Sequence, residues 1–263
     1  MWGSYYESPN PLTLLALFKV CRRFSFADDQ IPKICQSDRK KREIAELLTQ
    51  DYKRIIHKFF IDSLKKIYHS SLDFTGYYGG GEYIAKGGID SPTYLLNYDV
   101  DHLITSPPYG RAHEYIRSFK LELAWLGYDD NQITSLINKE IPYRHDCPNI
   151  EIKSETYYEY REKVAARFLP EYDIYFKSVI AGLENATKHL TGCMAIFVGN
   201  ATYGGVEPPY HLIFTEHFEN KGFEHERTLI DKVVSRKLFR GRKNLSPNGI
   251  QYEYLTILKA PSN

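Results

Sequence analysis

Six consecutive residues, Thr105-Ser106-Pro107-Pro108-Tyr109-Gly110, join a small hydroxyl, two prolines and an aromatic ring. Each proline fixes φ at about −65° and removes a backbone N–H donor. Pro107 also biases Ser106 toward an extended conformation. The carbonyls of such a turn have few local partners and are left to meet another molecule. With the Ser106 hydroxyl on one side and the Tyr109 ring on the other, the turn suits a flat, polar ring bearing an amine.

The residues Ser106-Pro107-Pro108-Tyr109 resemble the catalytic motif of amino-methylating DNA methyltransferases. Their Ser-Pro-Pro-Tyr form is the one associated with cytosine N4 methylation, whereas adenine N6 enzymes more often begin with Asp or Asn. The longer run at 106–127, SPPYGRAHEYIRSFKLELAWLG, is similar to the extended motif of one methylase group from restriction–modification systems. The resemblance implies a site-specific transferase that uses S-adenosyl-L-methionine, acts on double-stranded DNA and protects host DNA. It also implies the roles of Ser106, Pro107, Pro108 and Tyr109. Hydrogen bonds from the target amine to the Ser106 hydroxyl and the Pro107 carbonyl would localise the nitrogen lone pair. Those bonds strengthen as positive charge develops on the attacked nitrogen. Tyr109 would stack on a base rotated out of the duplex, and Pro108 would keep the turn rigid. Neither a metal nor a covalent enzyme intermediate is required.

The elements that must hold the turn are readable from periodicity. Residues 97–105 form the strand that delivers it, and 113–125 a helix leaving it, with Tyr115, Ile116, Phe119 and Leu123 on the apolar side. The segment 127–155, broken by Pro142 and Pro148, reads as a polar excursion whose residues 141–145 are a surface loop or a DNA contact. A helical region from Tyr157 is interrupted at Pro170 and ends at Gly192. The apolar run 193–198 is then a short buried strand opening into Gly199-Asn200-Ala201. In open α/β sheets ligands bind at the carboxyl ends of strands, so Thr105 and Asn200 are the candidates on the cofactor side. Pro208-Pro209 begin a helix to about residue 221, and 226–235 with 252–258 form a terminal strand pair. Between those strands Arg236, Lys237, Arg240, Arg242 and Lys243 carry no intervening acid, which favours phosphate contact.

The N-terminal part reads differently. Residues 12–20 form a short buried helix. From Ile44 to Ile67, apolar residues recur at three- and four-residue steps and predict one long helix. The cations Arg39-Lys40-Lys41-Arg42 at its start oppose the helix dipole, so a solvated or partner-facing cap is expected there. The glycine-rich run 74–88 has no strand before it and no amphipathic helix directly after it, and reads as a turn-rich loop rather than a cofactor cradle.

Composition bounds the rest. A net charge of +1 over 263 residues gives no global nucleic-acid signature, so DNA affinity must be local. The four cysteines show no C-x-x-C spacing, which fits free thiols in a reducing cytoplasm better than zinc or disulfides. Cytosine C5 methylation uses a Pro-Cys nucleophile; here the order is Asp146-Cys147-Pro148, and covalent catalysis is not expected. No signal segment opens the sequence, and the apolar stretch at 12–20 is too short to span a bilayer.

The expected fold is therefore α/β, the second half of a Rossmann-like S-adenosylmethionine-dependent methyltransferase sheet at 97–263, preceded by a helical region with a glycine-rich loop at 1–96. The family's first half, with a Phe-x-Gly-x-Gly loop after its first strand, is not found. A strand at 100–105 without that neighbour would expose an apolar, unpaired edge. A second polypeptide supplying the cofactor-binding half is the preferred expectation, with a truncated frame the other. Adenine N6 methylation, RNA base-amine methylation and a non-catalytic DNA-binding subunit remain the competing functions.

Overall fold

A computed structural model describes residues 10–28, 34–77, 84–87, 89–110, 115–141, 143–234 and 250–261, with the backbone alone at 74–77. The chain divides into two compact units, Met1–Lys86 with Glu114–Leu136 and Gly87–His113 with Ile137–Asn263. Against the expected boundary after residue 96, the division falls ten residues earlier, and 114–136 groups with the N-terminal helices.

The first unit is helical. Helix α1 (Pro11–Arg23) starts where Asn10 Oδ1 accepts the N–H groups of Leu12 and Thr13, with proline in its first turn. It buries Ala16, Leu17, Val20 and Cys21 and packs chiefly on α3 (Tyr52–Tyr77), and Phe24, just past its end, meets Phe59 edge-on at 5.3 Å. The single helix predicted across 44–67 is two, because α2 (Asp38–Leu48) stops first. Thr49 Oγ1 donates to the Glu46 carbonyl, and Asp51 Oδ1 accepts the Arg54 N–H, so a competing pair of side-chain bonds ends one helix and starts the next. The cations at the start of α2 are not all solvated. Lys40 is 1% exposed and donates to the Arg23 carbonyl at 2.6 Å, while Arg39 pairs with Asp28 at 2.7 Å and with Glu43. Acids brought in by the fold neutralise a charge run that looked unpaired; Lys41 and Arg42 do remain exposed. The glycine-rich run is also corrected at its start, since residues 74–77 complete α3.

The helix predicted at 113–125 is likewise broken at Phe119, into α4 (Tyr115–Ser118) and α5 (Lys120–Trp125). Arg22 grips both oxygens of Glu122 at 3.0 Å and the Ser118 carbonyl at 2.6 Å, which fixes this pair to α1. Helix α6 (Asp130–Ile137) follows, inside the stretch expected to be a polar excursion.

The second unit carries the sheet. Among the described residues its strands are β1 (Val100–Thr105), β2 (Leu190–Gly199), β3 (Glu224–Lys232) and β4 (Tyr252–Lys259), in the order β1-β2-β4-β3. β1 and β2 are parallel; β4 runs antiparallel to both β2 and β3. The chain is thus α/β with a mixed sheet, compatible with a Rossmann-like fold. One face of the sheet presents Met194, Ile196, Val198 and Leu258, all fully buried. Against it lie two helices. Helix α8 (Leu169–Thr187) buries Tyr172, Tyr175, Phe176, Val179, Ile180 and Leu183, the three- and four-residue steps of a single helical face. Helix α9 (Tyr210–Glu219) adds Tyr210, Ile213, Phe214 and Phe218. Pro170 stands in the first turn of α8 and so begins a helix instead of interrupting one, separating it from α7 (Glu155–Lys163).

Gly192 is reassigned as well. It lies inside β2, where a Cβ would sit 2.1 Å from the Asp101 carbonyl oxygen of β1. The glycine thus lets two backbones approach; it does not cap a helix. The stretch 137–155 is no loose excursion. Ile141 and Ile152 are in the core, and Arg144 is 2% exposed, with its guanidinium on Asp90 at 2.9 and 3.3 Å and on Asp146 at 2.5 Å. That commitment ties Arg144 into the fold, where the sequence of 141–145 reads as a surface loop or a DNA contact; Pro142 lies outside the described residues.

A second polar knot ties α8 to α9. His217 is fully buried; its Nδ1 accepts the Lys153 N–H at 3.0 Å, so Nε2 bears the proton facing Glu184 at 3.0 Å. Lys221 approaches the same carboxylate at 2.9 Å. His217 first, and then Lys221, hold the Glu184 carboxyl at about 2, below the ordinary 4.5. A depressed carboxylate contributes stability above its unfolded value and loses it as pH falls, here from about 4.5 to about 2. Acid titration of Glu184→Gln followed by circular dichroism is expected to show a flatter limb in that window, with up to about 3 kcal/mol of pH-dependent stability removed. An unchanged limb would show that the carboxylate is not linked to folding.

Candidate functional site

β1 ends at Thr105, and the Ser106–Gly110 turn leaves its carboxyl end. Burial alternates through the turn in a useful way: Ser106 is exposed, Pro107 is buried, Pro108 and Tyr109 are half-buried, and Gly110 is buried again. The hydroxyl is thus presented outward from an anchored backbone. Thr105 is half-buried and registers against Ile196 on β2.

Two contacts anchor the far side of the turn. Tyr109 Oη donates to Glu253 Oε1 of β4 at 2.9 Å. Gly110 lies so close to α9 that a Cβ there would fall 2.1 Å from Tyr210 Oη and 2.7 Å from Tyr203 Oη. Those two hydroxyls are themselves bonded, Tyr210 donating to Tyr203 at 3.1 Å. Both tyrosines are fully buried, and burial first, then the field of neighbouring phenols, pushes the Tyr210 hydroxyl well above its ordinary range. Tyr210 therefore remains a neutral donor to Tyr203. Tyr203 is delivered by a tight turn in which Gly204 and Gly205 have φ of 63° and 96°, values that favour glycine. Tyr203 N–H donates to the Val206 carbonyl at 2.8 Å across it.

At the end of β2, Asn200 Oδ1 accepts the Tyr210 N–H at 3.2 Å, and its Nδ2 donates to Glu207 at 3.3 Å. Asn200 therefore positions the start of α9. Thr105 and Asn200 do stand at the carboxyl ends of neighbouring parallel strands. Cys147 is an exposed free thiol, and desolvation pushes its titration up, the direction that disfavours thiolate. The cations Arg236, Lys237, Arg240, Arg242 and Lys243 lie outside the described residues.

Three residues with a hand in this site, Tyr203, Tyr210 and Glu253, were not singled out by sequence reasoning. The Tyr-Gly-Gly at 203–205 was the available signal, since paired glycines after an aromatic mark a tight turn carrying it inward. Glu253 between Tyr252 and Tyr254 gave none, because a strand residue's partner across the sheet is fixed by register.

No protein-family model matches the chain, and neither a curated protein nor a solved structure is significantly similar to it.

Proposed function

We propose that this chain is the base-gripping half of a DNA methyltransferase that modifies the N4 amine of cytosine. One observation carries the reading: a Ser-Pro-Pro-Tyr turn leaves the carboxyl end of a strand in a sheet ordered β1-β2-β4-β3, with β4 its antiparallel member. That is the strand arrangement expected of the second half of the family's sheet. In this reading the exposed Ser106 hydroxyl and the Pro107 carbonyl take the hydrogens of the target amine, while the half-buried Tyr109 ring offers its face to the base. Stacking on that ring offsets part of the unstacking cost, at about 1–3 kcal/mol per base. The buried Pro107, the half-buried Pro108 and the buried Gly110 hold these groups in place before DNA arrives, so little reorganisation remains at the moment of reaction.

S-adenosyl-L-methionine supplies the electrophilic methyl group when bound. The described residues fit only a fraction of it: the Thr105 hydroxyl is near the turn, and the Asn200 amide is already engaged with Tyr210 and Glu207. We assign the remaining cradle to a second polypeptide carrying a Phe-x-Gly-x-Gly loop. The sheet supports this, because among the described residues β1 is its terminal strand and Ile104 there is 82% exposed. An apolar terminal strand is a ready template for another strand. Among the described residues no helix is long and apolar enough to cross a membrane. DNA is the proposed substrate, with the cations at 236–243 the proposed phosphate contacts.

Calorimetry on the isolated chain tests the division of labour. S-adenosylmethionine is expected to bind weakly or not at all until the second polypeptide is added. Tight binding by this chain alone would overturn the split reading.

A further inference from the structure

We infer that Glu253 is a positioning residue that sets the plane of the Tyr109 ring; the inference rests on the reading of Tyr109 as the base-stacking face. A tyrosine side chain has two torsions to fix, and a ring that only stacked on a base would need no hydroxyl. Here the hydroxyl is tied at 2.9 Å to a carboxylate from a different strand. The partner is remote in sequence by 144 residues, so the fold and not the local turn supplies it.

The route of the contact is specific. Glu253 registers directly opposite Gly199 of β2, the strand that lies between β4 and β1. To reach Tyr109, which follows β1, the Glu253 side chain must cross β2. At the crossing point β2 carries no side chain, and a Cβ on Gly199 would lie 3.5 Å from Glu253 Cγ and 2.8 Å from Ile250 Cγ2. The close approach there is to Ile250, while 3.5 Å is an ordinary van der Waals distance, so Gly199 makes room for Ile250 and the Glu253 side chain passes beside it unobstructed. Opposite this tether, Gly110 is seated against Tyr203 and Tyr210, so the residue after the ring is fixed too. With both its backbone and its far end held, the ring is presented in one orientation before any base arrives. Ordering done in the free protein is ordering that binding does not have to supply.

The test uses the complex of this chain with the polypeptide that restores cofactor binding, and duplex DNA with 2-aminopurine at the target base. Its fluorescence reports the base leaving the stack, a readout that a general loss of stability does not imitate. Glu253→Ala and Tyr109→Phe are each expected to lower the flipped population by about tenfold, in line with loss of one charge-assisted bond. The double variant should be no worse than either single one, because both remove the same bond. Glu253→Gln keeps an acceptor oxygen and should recover most of the signal. Melting temperatures measured alongside should fall by far less than the flipping signal. Wild-type flipping in Glu253→Ala, or additive losses in the double variant, would overturn the inference while leaving the methyltransferase reading intact. Absence of any fluorescence change with the wild-type complex would overturn both.

Discussion

Ser106→Ala and Tyr109→Ala are each expected to abolish methyl transfer by the reconstituted complex, and they should do so for different reasons. Ser106 is exposed and its side chain contributes nothing to the core, so removing one oxygen should leave the melting temperature unchanged. In the proposed mechanism it removes an acceptor for the target amine, whose positive charge would grow during attack. Losing one such preorganised group typically costs about 10²–10³ in rate. Tyr109 is half-buried and tied to Glu253, so its truncation removes both the stacking face and the tether. Stacking alone is worth about 1–3 kcal/mol, and a mispositioned base adds to that loss. Single-turnover transfer of labelled methyl groups to duplex DNA separates the two from product release. Unchanged rates in both variants would remove this turn from catalysis.

Gly192→Ala is expected to damage the site from a distance. The new Cβ would stand 2.1 Å from the Asp101 carbonyl oxygen, and backbone cannot swing aside as the end of a long side chain can. The β1–β2 pairing already shows a register irregularity between Val100 and His102, directly beside this approach. Because β2 is the strand that pairs with β1 among the described residues, forcing the two apart would release the strand that leads into Ser106. Overpacking of this kind costs about 1–3 kcal/mol and occasionally more. Hydrogen exchange should show residues 100–105 losing protection well before β2 and β4, with the melting temperature lowered and transfer activity reduced in parallel. Native protection across β1 in this variant would show that the glycine is not needed for strand approach.

Much of this arrangement was legible in the residues because local physics dictated it. The apolar run at 193–198 had to be a buried strand, and the spacing of Phe176, Val179, Ile180 and Leu183 had to be a helix face, although Leu190, which continues that spacing, begins β2 instead. The turn was legible for the same reason, since prolines fix their own backbone. What escaped was decided by partners far away in the chain. Periodicity across 44–67 continues through Thr49–Asp51, yet side-chain bonds at Thr49 and Asp51 divide the helix there. Lys40 and Arg144 look like surface cations by type; both are buried because carbonyls and carboxylates from distant segments meet them. Gly192 resembles a helix stop until β1 is placed against it. Glu253 is invisible from sequence, because its value depends on a register of Gly199 opposite it and on a tyrosine two strands away.

The most direct test is mass analysis of nucleosides from DNA of cells expressing this chain together with a neighbouring gene that encodes Phe-x-Gly-x-Gly after a strand. N4-methylcytosine should appear with both genes, and vanish with either alone or with Ser106→Ala. N6-methyladenine in its place would contradict the base assignment, methylated bases in RNA alone would contradict the DNA substrate, and unmodified nucleic acid from cells making both proteins would contradict the enzyme.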